Sequence, residues 1–393
     1  AGLMVDMRRP LLLFLALFSG TDAFQIPQPL SPVCSFLGKR GTTSWKPAGS
    51  APLLRGLRAP VGMAKMMSGG KEVLPAVQRF VTPALGAEET REWTWRGYQI
   101  RYSKAGMRNA FTGKPPLLLI HGFGSSADTW RAQLPALADA GYQVFAIDLL
   151  GLGYSEKPPD EDYSIRLWAD MALDFIDEVM GGQPAVLFGN SIGGITSLTA
   201  AATPVRKELV KAIVLMNTAA GMNTKFVAKD PASSPLLRVI ATPLFALLDF
   251  LFTFEAFAEW LFGKTKTKEN VTTTLKRIYV NPDRIDDAIV RATLEPADDP
   301  NALKVFVKIL TGDSGQLPAE FIDQVQVPML MVWGDEDEIT PLGSGYGPYF
   351  TEQLRGERDN IELKVVNAGH VPHDDAPEAV NAAVIEWLLR KFP

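Results

Sequence analysis

Residues 185–194 read Ala185-Val186-Leu187-Phe188-Gly189-Asn190-Ser191-Ile192-Gly193-Gly194, and Thr196-Ser197-Leu198-Thr199-Ala200-Ala201 follows. The apolar run reads as a buried strand and the later hexamer as a helix, so the Gly-Asn-Ser-Ile-Gly segment is a strand-to-helix turn. Such a turn holds its serine in a sharp, strained conformation, and Gly189 and Gly193 let the crossing backbones approach closely. Ser191 is therefore the candidate nucleophile. A Gly-rich turn also closes many ordinary strand–helix units, and a seryl hydroxyl is a weak nucleophile at neutral pH. The chemistry needs a base, a group that orients the base, and donors for an oxyanion.

The chain has three histidines. His121 ends the apolar run Leu117-Leu118-Leu119-Ile120 and opens Gly122-Phe123-Gly124, the form of an oxyanion loop, in which His121 is a structural residue. Phe123 then offers one backbone N–H, and Ile192, at the positive end of the helix after Ser191, offers the other. His370 follows Leu363-Lys364-Val365-Val366 near the C-terminus and is the expected base. The acid is sought after Met329-Leu330-Met331-Val332-Trp333, where Gly334-Asp335-Glu336-Asp337-Glu338 offers four carboxylates. Asp337 is preferred because its spacing from Gly334 carries it past the strand end toward His370; Asp335 and Glu338 are the alternatives. His373 is assigned a loop hydrogen bond, since no closed ligand set accompanies it, and no metal or organic cofactor is expected.

The order of elements sets the fold class. Trp93–Trp95 and Tyr98–Tyr102 read as an antiparallel opening. Strand candidates follow at 117–120, 143–147, 185–188, 212–216, 329–332 and 363–366, with helical periodicity at 127–140, 165–180 and 376–392. This alternation predicts an α/β fold with a mostly parallel eight-stranded sheet and helices on both faces. Ligands in such sheets bind at the carboxyl ends of the strands, where Ser191, Asp337 and His370 fall. Between Asn217 and Pro328 about a hundred residues carry helical signals and no convincing strand, which predicts a helical cap inserted after the sixth strand. Its first part, 235–263, is rich in Leu and Phe on more than one face but is interrupted by Arg238, Pro243, Asp249, Glu255 and Glu259, which argues against a membrane span.

The N-terminus has a different character. Arg8-Arg9-Pro10, the apolar Leu11–Phe18 and Thr21-Asp22-Ala23 have the form of a signal peptide over 1–23. From Phe24 to Lys71 there is no Asp or Glu, while Lys, Arg, Ser, Pro and Gly are frequent, as in a transit peptide. Together they resemble the two-part targeting sequences of algae whose plastids lie inside extra membranes, with a mature chain beginning near residue 72; a secreted protein with a basic linker is the competing account. Nine of the 39 basic and two of the 44 acidic residues lie in 1–71, leaving 30 and 42 and a net charge near −12. No basic nucleic-acid footprint is present, and Cys34, the single cysteine, lies in the leader, which excludes thiol catalysis in the body. The expected organisation is 72–220 as the first part of the core, 221–325 as the cap and 326–393 as the second part.

The stretch Leu119–Ser126, the loop Ile147-Asp148-Leu149-Leu150-Gly151-Leu152-Gly153-Tyr154-Ser155-Glu156-Lys157-Pro158, the serine turn and Trp333–Asp337 resemble the α/β-hydrolase superfamily, over nearly all of the body. Within it, Ala368–Glu378, the serine turn and the cap stretches Leu294-Glu295-Pro296 through Gly315–Pro318 are similar to the plastid chlorophyll dephytylase and pheophytinase group. That resemblance implies hydrolysis of the phytyl ester of chlorophyll or pheophytin, a triad of Ser191, Asp337 and His370, and an apolar ester substrate; the apolar stretch 235–263 is read either as an ordinary cap core or as a greasy lid for a lipid-like substrate or a membrane surface, which would give a peripheral thylakoid contact. Relatives often carry an aromatic residue just after the triad acid, whereas Glu338-Ile339-Thr340 follows Asp337. Two other outcomes stay open: a lipid or small-ester carboxylesterase or cofactor-free perhydrolase on the same scaffold, and a slow-turnover ligand receptor.

Overall fold

The structure, a computed structural model, describes residues 82–109, 113–230 and 233–393. The leader segments 1–23 and 24–71, and the first ten residues assigned to the core, lie outside the described residues. Eight strands form one sheet: β1 (Glu89–Trp95), β2 (Tyr98–Ala105), β3 (Leu117–Ile120), β4 (Val144–Ile147), β5 (Ala185–Asn190), β6 (Val210–Met216), β7 (Met329–Gly334) and β8 (Ile361–Val366). Their order is β1-β2-β4-β3-β5-β6-β7-β8. β2 runs antiparallel to β1 and β4, and every later pairing is parallel. The chain is thus an α/β-hydrolase fold with a mostly parallel sheet, as its element order predicts.

Central strands read as unbroken apolar runs because both faces of the sheet are covered. Every residue of β3 and β4 is buried. Side chains alternate between two cores: Leu118 and Ile120 join one with α2 (Ile165–Glu178), while Leu117 and Leu119 join the other with α1 (Gln133–Asp139) and α9 (Pro377–Lys391).

The expected single helix over 127–140 is two elements. Ser126 caps a 3-10 turn at Ala127–Trp130, and α1 starts afresh at Gln133. Pro135 explains the restart, because a proline lacks its N–H and fits only the first turn of a helix. The helix after Ser191, α3 (Ile192–Ala201), packs against α2 and is buried over nearly its whole surface.

Between β6 and β7 lies the helical insertion: α4 (Pro235–Phe252), α5 (Glu255–Thr265), α6 (Lys268–Ile278), α7 (Asp287–Leu294) and α8 (Ala302–Thr311), with short helical turns around them. The apolar stretch read as one unit over 235–263 breaks at Thr253 and Phe254, whereas Pro243 sits inside α4 without ending it. Val271, Leu275, Tyr279, Ile289 and Val290 form a small core of the insertion with Val371 of the loop after β8.

Candidate active site

Ser191 sits between β5 and α3 at φ 54° and ψ −118°, a backbone conformation that non-glycine residues rarely adopt. The turn survives because its surroundings over-determine it. Ser191 N–H donates to the Met216 carbonyl at 3.0 Å, and its own carbonyl accepts from Gly194 and Ala219 at 3.0 and 3.1 Å. A Cβ at Gly189 would collide with the Gly193 carbonyl, and one at Gly193 with the Ile120 carbonyl, so both glycines are required by close backbone approach.

The loop after β8 brings in His370, whose Nδ1–H donates to Asp337 Oδ2 at 2.9 Å. Asp337, in the loop after β7, is buried and also accepts from Asn217 Nδ2 at 2.6 Å, Thr340 Oγ1 at 2.6 Å and the Ile339 N–H at 2.7 Å. Burial alone would raise the Asp337 pKa; the His370 charge and the hydrogen bonds from His370, Thr340 and Asn217 outweigh it and hold the carboxyl below its ordinary value. Asp335 and Glu338 are exposed, and Asp335 faces Asn367 and the Ala368 N–H instead. Of the three candidate acids, Asp337 is the one in contact with His370.

Neighbouring elements fix the histidine loop. His370 N–H donates to the Ile278 carbonyl at the end of α6 at 2.9 Å, and Asn190 Nδ2 donates to the carbonyls of His370 and Met216 at 2.9 and 3.1 Å. Asp375 accepts from the N–H groups of Gly369, Val280 and Asn281 at 2.7, 2.9 and 2.8 Å, so one carboxylate holds both the His370 loop and the insertion. Asp374, fully buried, accepts from Arg131, Arg284 and the Tyr279 hydroxyl, joining the same two parts. Burial raises the Tyr279 pKa far above its usual value, and the adjacent Asp374 adds to the shift.

His121 is fully buried in the loop after β3. Its Nδ1–H donates to the Gly122 carbonyl at 2.7 Å and its Nε2 accepts from the Leu149 N–H at 3.0 Å, which ties this loop to the one after β4. Burial depresses its pKa, and the two bonds suit the neutral ring. The loop then passes over the serine: a Cβ on Gly122 would lie 3.2 Å from Ser191 Cβ. Phe123 follows in this loop, and Ile192 is the first residue of α3. Neither N–H is taken up by a backbone carbonyl among the described residues.

Ser191 and His370 line one cavity of about 340 Å³ beneath the insertion, each only 8% exposed. Its walls are mainly apolar, with Phe262, Val271, Leu275, Ile278, Val305 and Phe306 from the insertion and Phe123 and Leu152 from the core. No Ser191–His370 hydrogen bond is formed among the described residues; such contacts commonly tighten only when substrate is bound. The Ser125 hydroxyl, also facing this cavity, has no hydrogen-bond partner among the described residues.

His373 departs from its expected role. It lies in the short turn Pro372–Asp375, fully buried, with its ring stacked on Trp130 at 4.0 Å between centroids. Neither ring nitrogen has a hydrogen-bond partner among the described residues. Only its backbone carbonyl accepts, from Gln133 Nε2 at 2.6 Å. Burial pushes its pKa down to about 3. The loop reading failed because proline at 372 starts a helical turn and aims the ring into the core.

Sequence reasoning missed Asn190, Asn217, Thr340 and Asp375, which orient the triad candidates without lining up in any local pattern. A faint signal existed at Asn217, a polar residue closing the wholly apolar end of β6. Residues 115–377, more than half of the chain, match the sequence pattern described as the alpha/beta hydrolase fold. The chain belongs to the α/β-hydrolase family. Among its relatives is the chloroplastic pheophytinase of Arabidopsis thaliana, 28% identical over 74% of this chain. The chain spans 64% of that relative's length, less than two thirds. An uncharacterized hydrolase of Bacillus subtilis, YugF, is 26% identical over 70% of this chain and 90% of its own length. A solved putative lipase of Acinetobacter baumannii superposes with a TM-score of 0.59 at 22% identity, covering 77% of this chain and 91% of the lipase, a likeness of fold.

Proposed function

We propose that this hydrolase cleaves a carboxylic ester through an acyl-enzyme intermediate, with Ser191 as nucleophile, His370 as base and Asp337 as the acid that orients it. The observation that carries this reading is the His370–Asp337 hydrogen bond at 2.9 Å beside a serine held at φ 54° in the same apolar cavity. His370 takes the Ser191 proton as the oxygen attacks the ester carbonyl, and Asp337 stabilises the imidazolium. The N–H groups of Phe123 and Ile192 hold the oxyanion. The alcohol leaves with the proton from His370, and water then attacks the acyl group to release the acid. Epoxide-opening relatives on this scaffold place an aspartate at the turn, and a serine there favours acyl transfer.

The substrate assigned is the phytyl ester of chlorophyll or pheophytin, in a plastid. Its supports are the apolar cavity, the leader composition and the likeness to the plant pheophytinase. The cavity volume favours a second reading, a smaller lipid ester, because about 340 Å³ lies at the low end of the roughly 300–1,000 Å³ typical of ligand sites. The test is to incubate the protein with chlorophyll a, pheophytin a and short aryl esters and measure phytol and acid release. Ser191→Ala is expected to lower turnover by roughly 10⁴-fold or more with folding intact. Ester hydrolysis by that variant at the native rate would sink the mechanism; release from aryl esters alone would sink the pigment assignment.

A further inference from the structure

We infer that the outer face of α4, with the adjoining edge of α5, is a bilayer-contact surface that lies along an uncharged lipid surface beside the mouth of the substrate cavity. This deepens the ester reading, on which it rests for the nature of the substrate, by naming the phase from which that substrate is drawn.

The helix is turned inside out. Only 11% of Pro235–Phe252 is buried although its mean hydropathy is 1.8. Leu236, Val239, Leu247 and Phe250 are each more than half exposed, and Phe254 and Trp260 just beyond are equally open. Positions 236, 239, 243, 247, 250 and 254 recur at three and four residues and form one stripe without a charged side chain. The two charged residues of α4 stand off that stripe: Asp249 is paired with Lys225 at 2.7 Å, and the Arg238 Nε is buried. A water-facing helix would be expected to do the reverse.

Charge and continuity select the occupant. An uncharged stripe about 27 Å long, as follows from 1.5 Å per residue, suits the acyl boundary of a neutral lipid layer, and the exposed Glu255 and Glu259 beyond its end disfavour an acidic one. Trp260 at its edge has the amphipathic ring favoured at that boundary. The same α5 that exposes Trp260 sends Phe262 into the cavity wall, where it packs on Phe306 at 5.3 Å, so the greasy face runs on into the site. Ala241 and Phe252 are buried against the protein, which lays the helix along a membrane rather than across it.

The test uses the full chain with phosphatidylcholine vesicles, with and without an anionic lipid, and compares it with a Val239→Ser/Leu247→Ser/Phe250→Ser variant. None of the three residues lines the cavity. Vesicle partition of the variant is expected to fall by about a hundredfold or more, with thermal unfolding and hydrolysis of a soluble short aryl ester unchanged. Native partition should change less than about threefold on adding anionic lipid or salt, because the stripe carries no charge. Three results overturn the inference: native-like partition of the variant, as when the leader alone holds the chain on vesicles; partition that requires anionic lipid; or a native dimer that the substitutions dissociate while partition stays the same. A native chain inert toward every ester, yet losing vesicle partition on substitution, would sink the ester reading and support the surface.

Discussion

His373→Phe tests the most unusual buried group in the site region. The native ring is fully buried, stacked on Trp130, and has no partner for either nitrogen among the described residues. Its pKa, lowered by burial from 6.5 to about 3, means that the folded protein refuses a proton that the unfolded chain accepts. The unfolded state therefore binds more protons between pH 6.5 and 3. Stability from this residue is full above pH 6.5 and is lost as the pH falls through that window. With about 1.4 kcal/mol per pH unit, the loss reaches about 2 kcal/mol at pH 5 and approaches about 5 kcal/mol near pH 3. Phenylalanine keeps a flat ring on Trp130 and cannot take a proton. Urea unfolding at pH 7, 6 and 5 should show the native midpoint falling with acid, and the variant retaining about 2 kcal/mol more of its neutral-pH stability at pH 5. His121, also buried with a depressed pKa, adds acid sensitivity of the same sign to both proteins, so the difference between them isolates position 373. Equal acid slopes in the two proteins would refute the reasoning.

Two further outcomes concern the groups that orient the triad candidates. Asn217→Ala removes the 2.6 Å donor to Asp337 and is expected to lower ester turnover about tenfold while raising the Asp337 pKa, because the carboxylate loses one of the bonds that hold it down. An Asp337 carboxyl carbon resonance that titrates unchanged in the variant would count against this role. Asp375→Asn leaves an amide where a carboxylate oxygen accepts a backbone N–H, so at least one of its three bonds is lost, at a cost of about 1.5–3 kcal/mol. Faster proteolysis within the insertion and slower turnover should appear together, and a variant with unchanged cleavage would show that Asp375 does not hold the insertion.

Much of the site was legible because its signals are local. A serine between close-packed glycines, a histidine after the last strand and a polar turn after β7 are each read within a few residues. The choice among Asp335, Asp337 and Glu338 was less so, since all three carboxylates share one short turn and only the course of the loop decides which is buried against His370. His373 misled because its fate depends on Trp130, more than two hundred residues earlier, and on a proline that starts a helical turn.

By itself the sequence determined the order of strands and helices, the serine turn and the place of the insertion, because hydrophobic periodicity and turn chemistry act over one element at a time. Tertiary structure alone decided what meets across the fold. Asn217 reaches Asp337 over 120 residues, and Asp375 clasps the insertion 95 residues away. It also decided which way α4 faces: a helix apolar on most sides carries no record of its outward stripe until packing has used the rest, and here packing set the two charged side chains off that stripe and left apolar side chains exposed along it.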